Sequence, residues 1–324
     1  MGHCPSRLIG CAHSHPFLIL VRSRAGRNCK EWVQALAGAA KQHSSEFVIR
    51  HTKLDLHIYL SSTDSLLLHE ETIADRVAEL KREFLRDEVV RDPVVVDTDS
   101  RVVLDGMHRV VALRELDCAC IPVCAVDYLN PSIKVGTWYR SISGKPSPDE
   151  VKLALSASGL RCEAFPFDIS STIENPTLAI LFAQRESFRL KNDCTQVFDT
   201  LRTAEQCFRK LGLSVKFETE RDALENLVNK KTEAVMTLPK IDKASVQRAG
   251  LTGRLLPHKV TRHIIPARPL GMNVPLIVLT DRNTSLTESN QRLVSSLRAR
   301  GITHEPSGAV IKGRRYGELI TQSN

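Results

Sequence analysis

Residues 93–128, PVVVDTDSRVVLDGMHRVVALRELDCACIPVCAVDY, leave little freedom in how they fold. Two runs of β-branched residues are separated by Thr98, Asp99 and Ser100, the pattern of a hairpin. The second run ends at Asp105-Gly106 and passes without a linker into a stretch where Val110, Leu113 and Leu116 share a helical face. CIPVCAVDY then reads as a buried strand, with Cys118, Cys120 and Cys124 in or beside it as small apolar residues. Strand, strand, helix and strand in so short a span predict an α/β domain.

The junction at Gly106 carries the chemistry. A strand that turns straight into a helix leaves the first helical N–H groups unpaired around the glycine, where they can hold an anion. His108 and Arg109 add donors at the same end, and a guanidinium contacts phosphate oxygens in pairs. Asp105 would repel a bare phosphate. It fits if it holds a magnesium ion shared with the phosphates, or handles a proton during transfer. The plainer alternative is that Asp105 only caps the helix while His108 and Arg109 are solvated.

Upstream, KLDLHIYL alternates as a strand, and LLLHEET leads into a helix on which Ile73, Val77, Leu80 and Phe84 recur. Thr72 is the expected N-cap, with Asp75 three residues on. Glu70 and Glu71 therefore fall just before a helix, where two acids ordinarily do no more than favour the positive end of its dipole. Downstream, SGKPSPDE interrupts the pattern before a helix at about Glu150. Gly144-Lys145 is followed by Pro146 and lacks the earlier glycine, so this is not a Walker phosphate loop. RCEAFPF, LAILFAQ and LSVKFET read as strands, with helices beginning near Thr195 and Arg221; PLIVLT precedes a last helix near ESNQRLVSSLRAR. Thr261-Arg262-His263, between Pro257 and Pro266, reads as a basic loop.

The organisation expected is an extension over 1–50, an α/β domain over 51–142, a smaller α/β domain over 143–280 with the active site in the cleft between the two, and a strand and helix extension over 281–324. The charge of +8 favours anionic partners without choosing among nucleotide, phosphorylated product and nucleic acid. Nine cysteines with no CxxC pair support neither a zinc site nor a disulfide framework, and point to a reducing cytoplasm. No apolar run is long enough to span a bilayer; HPFLILV, residues 15–21, is a core strand or part of the extension.

VVLDGMHRVVALRELDCACIPVCAVDY resembles the Asp-Gly-x-His-Arg segment of the ParB/sulfiredoxin-like superfamily, and most closely its archaeal free-serine kinases. LLLHEE is similar to their His-Glu motif, VGTWYRS to their Thr-Trp-Tyr motif and KVTRHIIP to their Thr-Arg-His motif, in that order along the chain. Sulfiredoxin chemistry needs a cysteine in the phosphate loop, where this chain has Met107. A ParB-type partitioning protein would continue into a helix-turn-helix, whereas this chain continues into a β-containing domain.

The resemblance implies a ParB/sulfiredoxin-like fold and transfer of a phosphoryl group from ATP or ADP, with Mg2+, to free L-serine, yielding O-phospho-L-serine for cysteine synthesis. It implies Glu70 as the base, with Glu71 the second choice, and Asp105 as a catalytic residue and metal ligand. Gly106, Met107, His108 and Arg109 would hold the nucleotide phosphates. Trp138, Thr261, Arg262 and His263 would form the serine side. The expected partners are these small molecules, without nucleic acid or membrane. The rival readings are a nucleotide-binding regulator that contacts DNA, and a kinase of another small hydroxy amino acid such as threonine.

Overall fold

The computed structural model describes residues 45–191, 197–306, 310–311, 314–315 and 319–323. The expectation for HPFLILV and the positions of Cys4, Cys11, Cys29 and Cys194 lie outside the described residues. Residues 45–324 form one compact unit.

In chain order the strands begin with β1 (Phe47–Arg50), β2 (Asp55–Ser62), the two-residue β3 (Val89–Val90), β4 (Val94–Asp97), β5 (Val103–Asp105) and β6 (Cys120–Val126). The first sheet has the order β1-β2-β6-β4-β5; its pairs are antiparallel except β4 with β6. β6 is buried along its whole length, as its unbroken apolar run requires. The predicted hairpin is present. Asp97 fixes its turn by accepting from the Ser100 N–H at 3.2 Å, while Arg101 takes a left-handed conformation with φ 61°. The helix Met107–Glu115 follows directly and buries Val110, Ala112 and Leu113.

β7 (Lys134–Ser143) leads into a second sheet with β8 (Arg161–Ala164), β9 (Ala179–Phe182), β10 (Ser187–Lys191), β11 (Ser214–Thr219), β12 (Ala234–Thr237) and β13 (Thr261–Ile264). Its order is β11-β7-β12-β9-β10-β8, with β13 paired to the first half of β7. The helices Pro148–Ala157, Val197–Lys210 and Glu220–Val228 follow the sequence pattern, the last capped by the Thr219 hydroxyl. The chain then forms β14 (Ala267–Leu270), β15 (Val274–Pro275), the helix Leu286–Arg300, β16 (Ile302–Glu305) and the strand Leu319–Ser323. That last strand lies between β14 and β16. Asn290 on the helix accepts the Leu60 N–H of β2 at 2.6 Å and donates to the Leu60 carbonyl at 3.0 Å.

Two local expectations need correction. The helix expected after Thr72 runs from Ala74 to Asp87, with Ile73 as N-cap and no side-chain cap. The Ile73 N–H instead donates to His108 Nε2 at 3.0 Å, so a contact with the glycine loop sets this helix start. Thr261–His263 is a strand, because the first half of β7, which neither β11 nor β12 pairs, offers its N–H and C=O groups to it; Thr261 lies opposite Thr137 and Arg262 opposite Gly136.

Candidate active site

Residues 67–71 are strapped in extended form between β5 and a later loop. The Val103 N–H donates to the Leu67 carbonyl at 2.8 Å, the Leu256 N–H to the His69 carbonyl at 2.8 Å, and the Glu71 N–H to the Leu256 carbonyl at 2.9 Å. Along this strap Glu70 and Glu71 face different ways. Glu70 points inward and is 3% exposed. Its Oε1 accepts the Thr261 N–H and the Thr261 hydroxyl, both at 2.5 Å, and its Oε2 accepts the Lys259 N–H at 3.1 Å. Burial pushes this carboxyl above the usual carboxylate range, against the opposing pull of those donors. Glu71 turns the other way, to Arg202 at 2.7 Å. The two acids, adjacent in sequence, thus have opposite environments.

His69 is fully buried, with Nδ1 2.7 Å from the Val103 carbonyl and Nε2 2.8 Å from the Thr261 hydroxyl. Burial lowers its proton affinity to about 4, so the ring is neutral at pH 7. His263 stacks edge-on against it with centroids 5.3 Å apart, and its Nε2 is 2.8 Å from the Tyr128 hydroxyl; burial lowers it to about 3.

At the glycine loop, Gly106 is the N-cap of its helix with φ 98°. A Cβ there would come within 2.7 Å of Arg109 Nη2 and 2.8 Å of Val94 Cγ1, so only glycine fits. Arg109 donates to the Asp92 carbonyl at 2.8 Å, the Pro93 carbonyl at 2.7 Å and Asp105 at 3.1 Å. Its charge thus pins the loop to the residues that lead into β4. Asp105 also pairs with Arg268 of β14. His108 accepts the Ile73 N–H, which leaves Nδ1 to carry the ring proton. Met107 offers its backbone while its side chain packs on the core. Among the described residues no group of three His, Cys, Asp or Glu is clustered to hold a metal, and Asp105 immediately precedes the glycine that opens the helix. Burial raises Cys118 to about 11 and Cys120 and Cys124 to about 12, which excludes thiolate chemistry there.

On the β7 side, Arg262 donates to Glu220 at 2.7 Å, and Glu220 accepts the Thr137 N–H at 2.6 Å. Gly136 makes room for this pair: a Cβ would meet Glu220 Oε1 at 2.7 Å. The Trp138 ring lies under the Lys259 ammonium, 4.8 Å from its centroid, and 5.9 Å from the Arg262 guanidinium. Arg140, one turn of the pleat further, is fully buried. It donates to Glu205 at 2.7 Å and to the carbonyls of Trp138, Lys259 and His258 at 2.7, 2.9 and 3.1 Å. It thereby holds the left-handed turn at Lys259, φ 58°, whose amide reaches Glu70.

The motifs therefore converge, but with different individual partners from those expected. Glu70, Thr261 and His263 meet around His69, and Asp105 to Arg109 form the adjacent loop. Sequence reasoning missed Arg140, Glu220, Lys259 and Arg268. Arg140 and Lys259 lie within the quoted VGTWYRS and KVTRHIIP segments; Glu220 and Arg268 belong to none and had no local signal.

No family model matches the chain. Among curated proteins it is 26% identical over 231 residues to an ATP-dependent L-serine kinase of Staphylothermus marinus, covering 67% of this chain and 89% of that one. It is 24% identical over 183 residues to the ADP-dependent L-serine kinase of Thermococcus kodakarensis, covering 55% and 73%. Among solved structures, a free serine kinase in complex with AMP superposes with a TM-score of 0.60 at 20% identity, covering 71% of this chain and 96% of that one. The chain is thus similar in sequence to L-serine kinases, as its motifs indicated, and has the mixed α/β fold of a free serine kinase structure. No helix among the described residues is long and apolar enough to cross a membrane.

Proposed function

We propose that this protein is a phosphotransferase that moves the terminal phosphoryl group of ATP or ADP to free L-serine, producing O-phospho-L-serine. The observation that carries this reading is Glu70: a buried carboxyl with raised proton affinity, strapped alongside a helix N-terminus that opens on glycine. Likeness to kinases of both donor types supports it.

A serine hydroxyl is too weak an acid to ionise ahead of reaction, so its proton is best removed as its oxygen bonds to phosphorus. In this scheme Glu70 takes that proton while the bond from phosphorus to the nucleotide oxygen breaks. The N–H groups of Gly106, Met107 and His108, with the His108 Nδ1 proton, hold phosphate charge. Arg109 and Arg268 fix Asp105 and with it the loop. Mg2+ would enter on the nucleotide phosphates with Asp105 as its protein carboxylate, and would neutralise phosphate charge. The two arginines compete for that carboxylate, and no step here depends on the ion. Arg262, oriented by Glu220 and Trp138, is the group for the serine carboxylate. Thr261 and His263 act behind Glu70.

The test is incubation of the purified protein with Mg2+, ATP or ADP and a panel of amino acids including threonine, read by phosphorus NMR and mass spectrometry. O-phosphoserine is expected. No phosphorylated amino acid with either donor would refute the proposal, and DNA binding that falls steeply with salt would then favour a regulator.

A further inference from the structure

The hydrogen bonds around Thr261 do not balance in proton count. His69 Nδ1 faces the Val103 carbonyl, an acceptor only, so the ring proton is on Nδ1 and Nε2 is a bare acceptor. The Thr261 hydroxyl has one proton. It lies 2.8 Å from that bare Nε2 and 2.5 Å from Glu70 Oε1. With Glu70 ionised, two acceptors compete for one proton, and a fully buried imidazole nitrogen goes unsatisfied when the carboxylate wins. With a proton on Oε1, every group is satisfied: Glu70 donates to Thr261, and Thr261 donates to His69. The backbone N–H groups of Lys259 and Thr261 cannot reverse direction, so the hydroxyl alone can accommodate the change.

We propose that the Thr261 hydroxyl is a two-position proton switch, donating to Glu70 while that carboxylate is ionised and rotating onto His69 Nε2 once Glu70 has taken the substrate proton. This rests on the reading of Glu70 as the base. The proton count closes: the substrate O–H bond breaks, the Oε1–H bond forms, Glu70 loses its charge, and the Thr261 O–H bond rotates without breaking. His69 gains a hydrogen bond and no proton. His69 and Thr261 are positioning residues that make proton uptake by Glu70 easier than a carboxylate held by fixed donors would allow. The other charged or titratable groups around Glu70 are Lys259 and His258 on the loop before β13, Arg140 on β7 and His263 against His69; none supplies a second proton to the Thr261 oxygen.

The test uses the intact protein with 15N-labelled histidine. As pH falls through the Glu70 titration, the His69 Nε2 resonance should move upfield, as an acceptor nitrogen does on gaining a hydrogen bond, while remaining unprotonated. In Glu70→Gln, which carries no charge at any pH to hold the hydroxyl while its amide oxygen still accepts the Thr261 N–H, the resonance should hold the low-pH position throughout. A resonance that is constant in the wild type, or that moves because Nε2 itself is protonated, overturns the proposal. A kinetic arm follows from the same count: His69→Met removes the second acceptor, so the acid limb of the rate profile should move down by about one pH unit. An unmoved or raised limb also overturns it. If His69→Met does not fold, the wild-type spectrum decides. Full transfer activity in Glu70→Gln would instead refute Glu70 as the base, a separate result.

Discussion

Replacing Gly106 with alanine should weaken nucleotide binding while leaving the protein folded. The backbone at φ 98° is costly for any residue with a Cβ, about 1–3 kcal/mol. The new methyl would also sit 2.8 Å from Val94 Cγ1, on a strand residue that is 1% exposed and cannot retreat. The relief available is for Arg109 to swing away, breaking its bonds to Asp92, Pro93 and Asp105; its side chain is 19% exposed, so water compensates partly, at a further cost of about 2 kcal/mol. A total of about 3–5 kcal/mol lies below the usual stability of a domain this size. If about 1.4 kcal/mol of it falls on the orientation of the loop amides, the Kd rises tenfold. Urea denaturation and calorimetric titration with ADP measure the two parts. A variant with wild-type midpoint and wild-type Kd would refute the argument that Gly106 is required by both sterics and binding.

Glu71→Gln should leave the transfer rate within about twofold, since Glu71 engages Arg202 at the surface; a large loss would mean that the two acids have been read in the wrong order. Glu220→Gln should raise the KM for serine by about tenfold with unchanged nucleotide affinity, because its partners are Arg262 and Thr137 on the β7 side and none is in the glycine loop; an equal effect on both substrates would contradict that role. Stability should fall between pH 6.5 and 4. His69 stays neutral when folded but takes a proton when unfolded, so its contribution is complete above 6.5 and is lost toward 4 at about 1.4 kcal/mol per pH unit. His258 and His263 act in the same direction, and the raised Glu70 in the opposite one. Urea midpoints at pH 7 and pH 5 give the sign, and equal midpoints would refute it.

Where local pattern dictates geometry, the sequence was informative. The hairpin at Thr98–Ser100 and the helix after Gly106 follow from turn chemistry and periodicity that no distant contact overrides. Thr261–His263 looked like a loop because its strand exists only through β7, more than a hundred residues earlier. Thr72 looked like a cap because local rules favour it, yet His108 determines that helix start from across the site. Glu70 was named by resemblance; its distinction from Glu71 became physical only with the structure, which buries Glu70 and leaves Glu71 half-buried beside Arg202. Arg140 gave no signal in the sequence, since three of its four hydrogen-bond acceptors are backbone carbonyls that have no residue identity.

Asn290 continues the β1 side of β2 past the end of β1, occupying the N–H and C=O of Leu60 from 230 residues away. During synthesis that stretch of β2 emerges early and remains open until the helix Leu286–Arg300 has left the ribosome, so a strand made early is completed late. An open edge is a place where a second nascent chain can pair. The Leu60 groups thus stay unsealed through most of translation, and it is the helix Leu286–Arg300 that closes them.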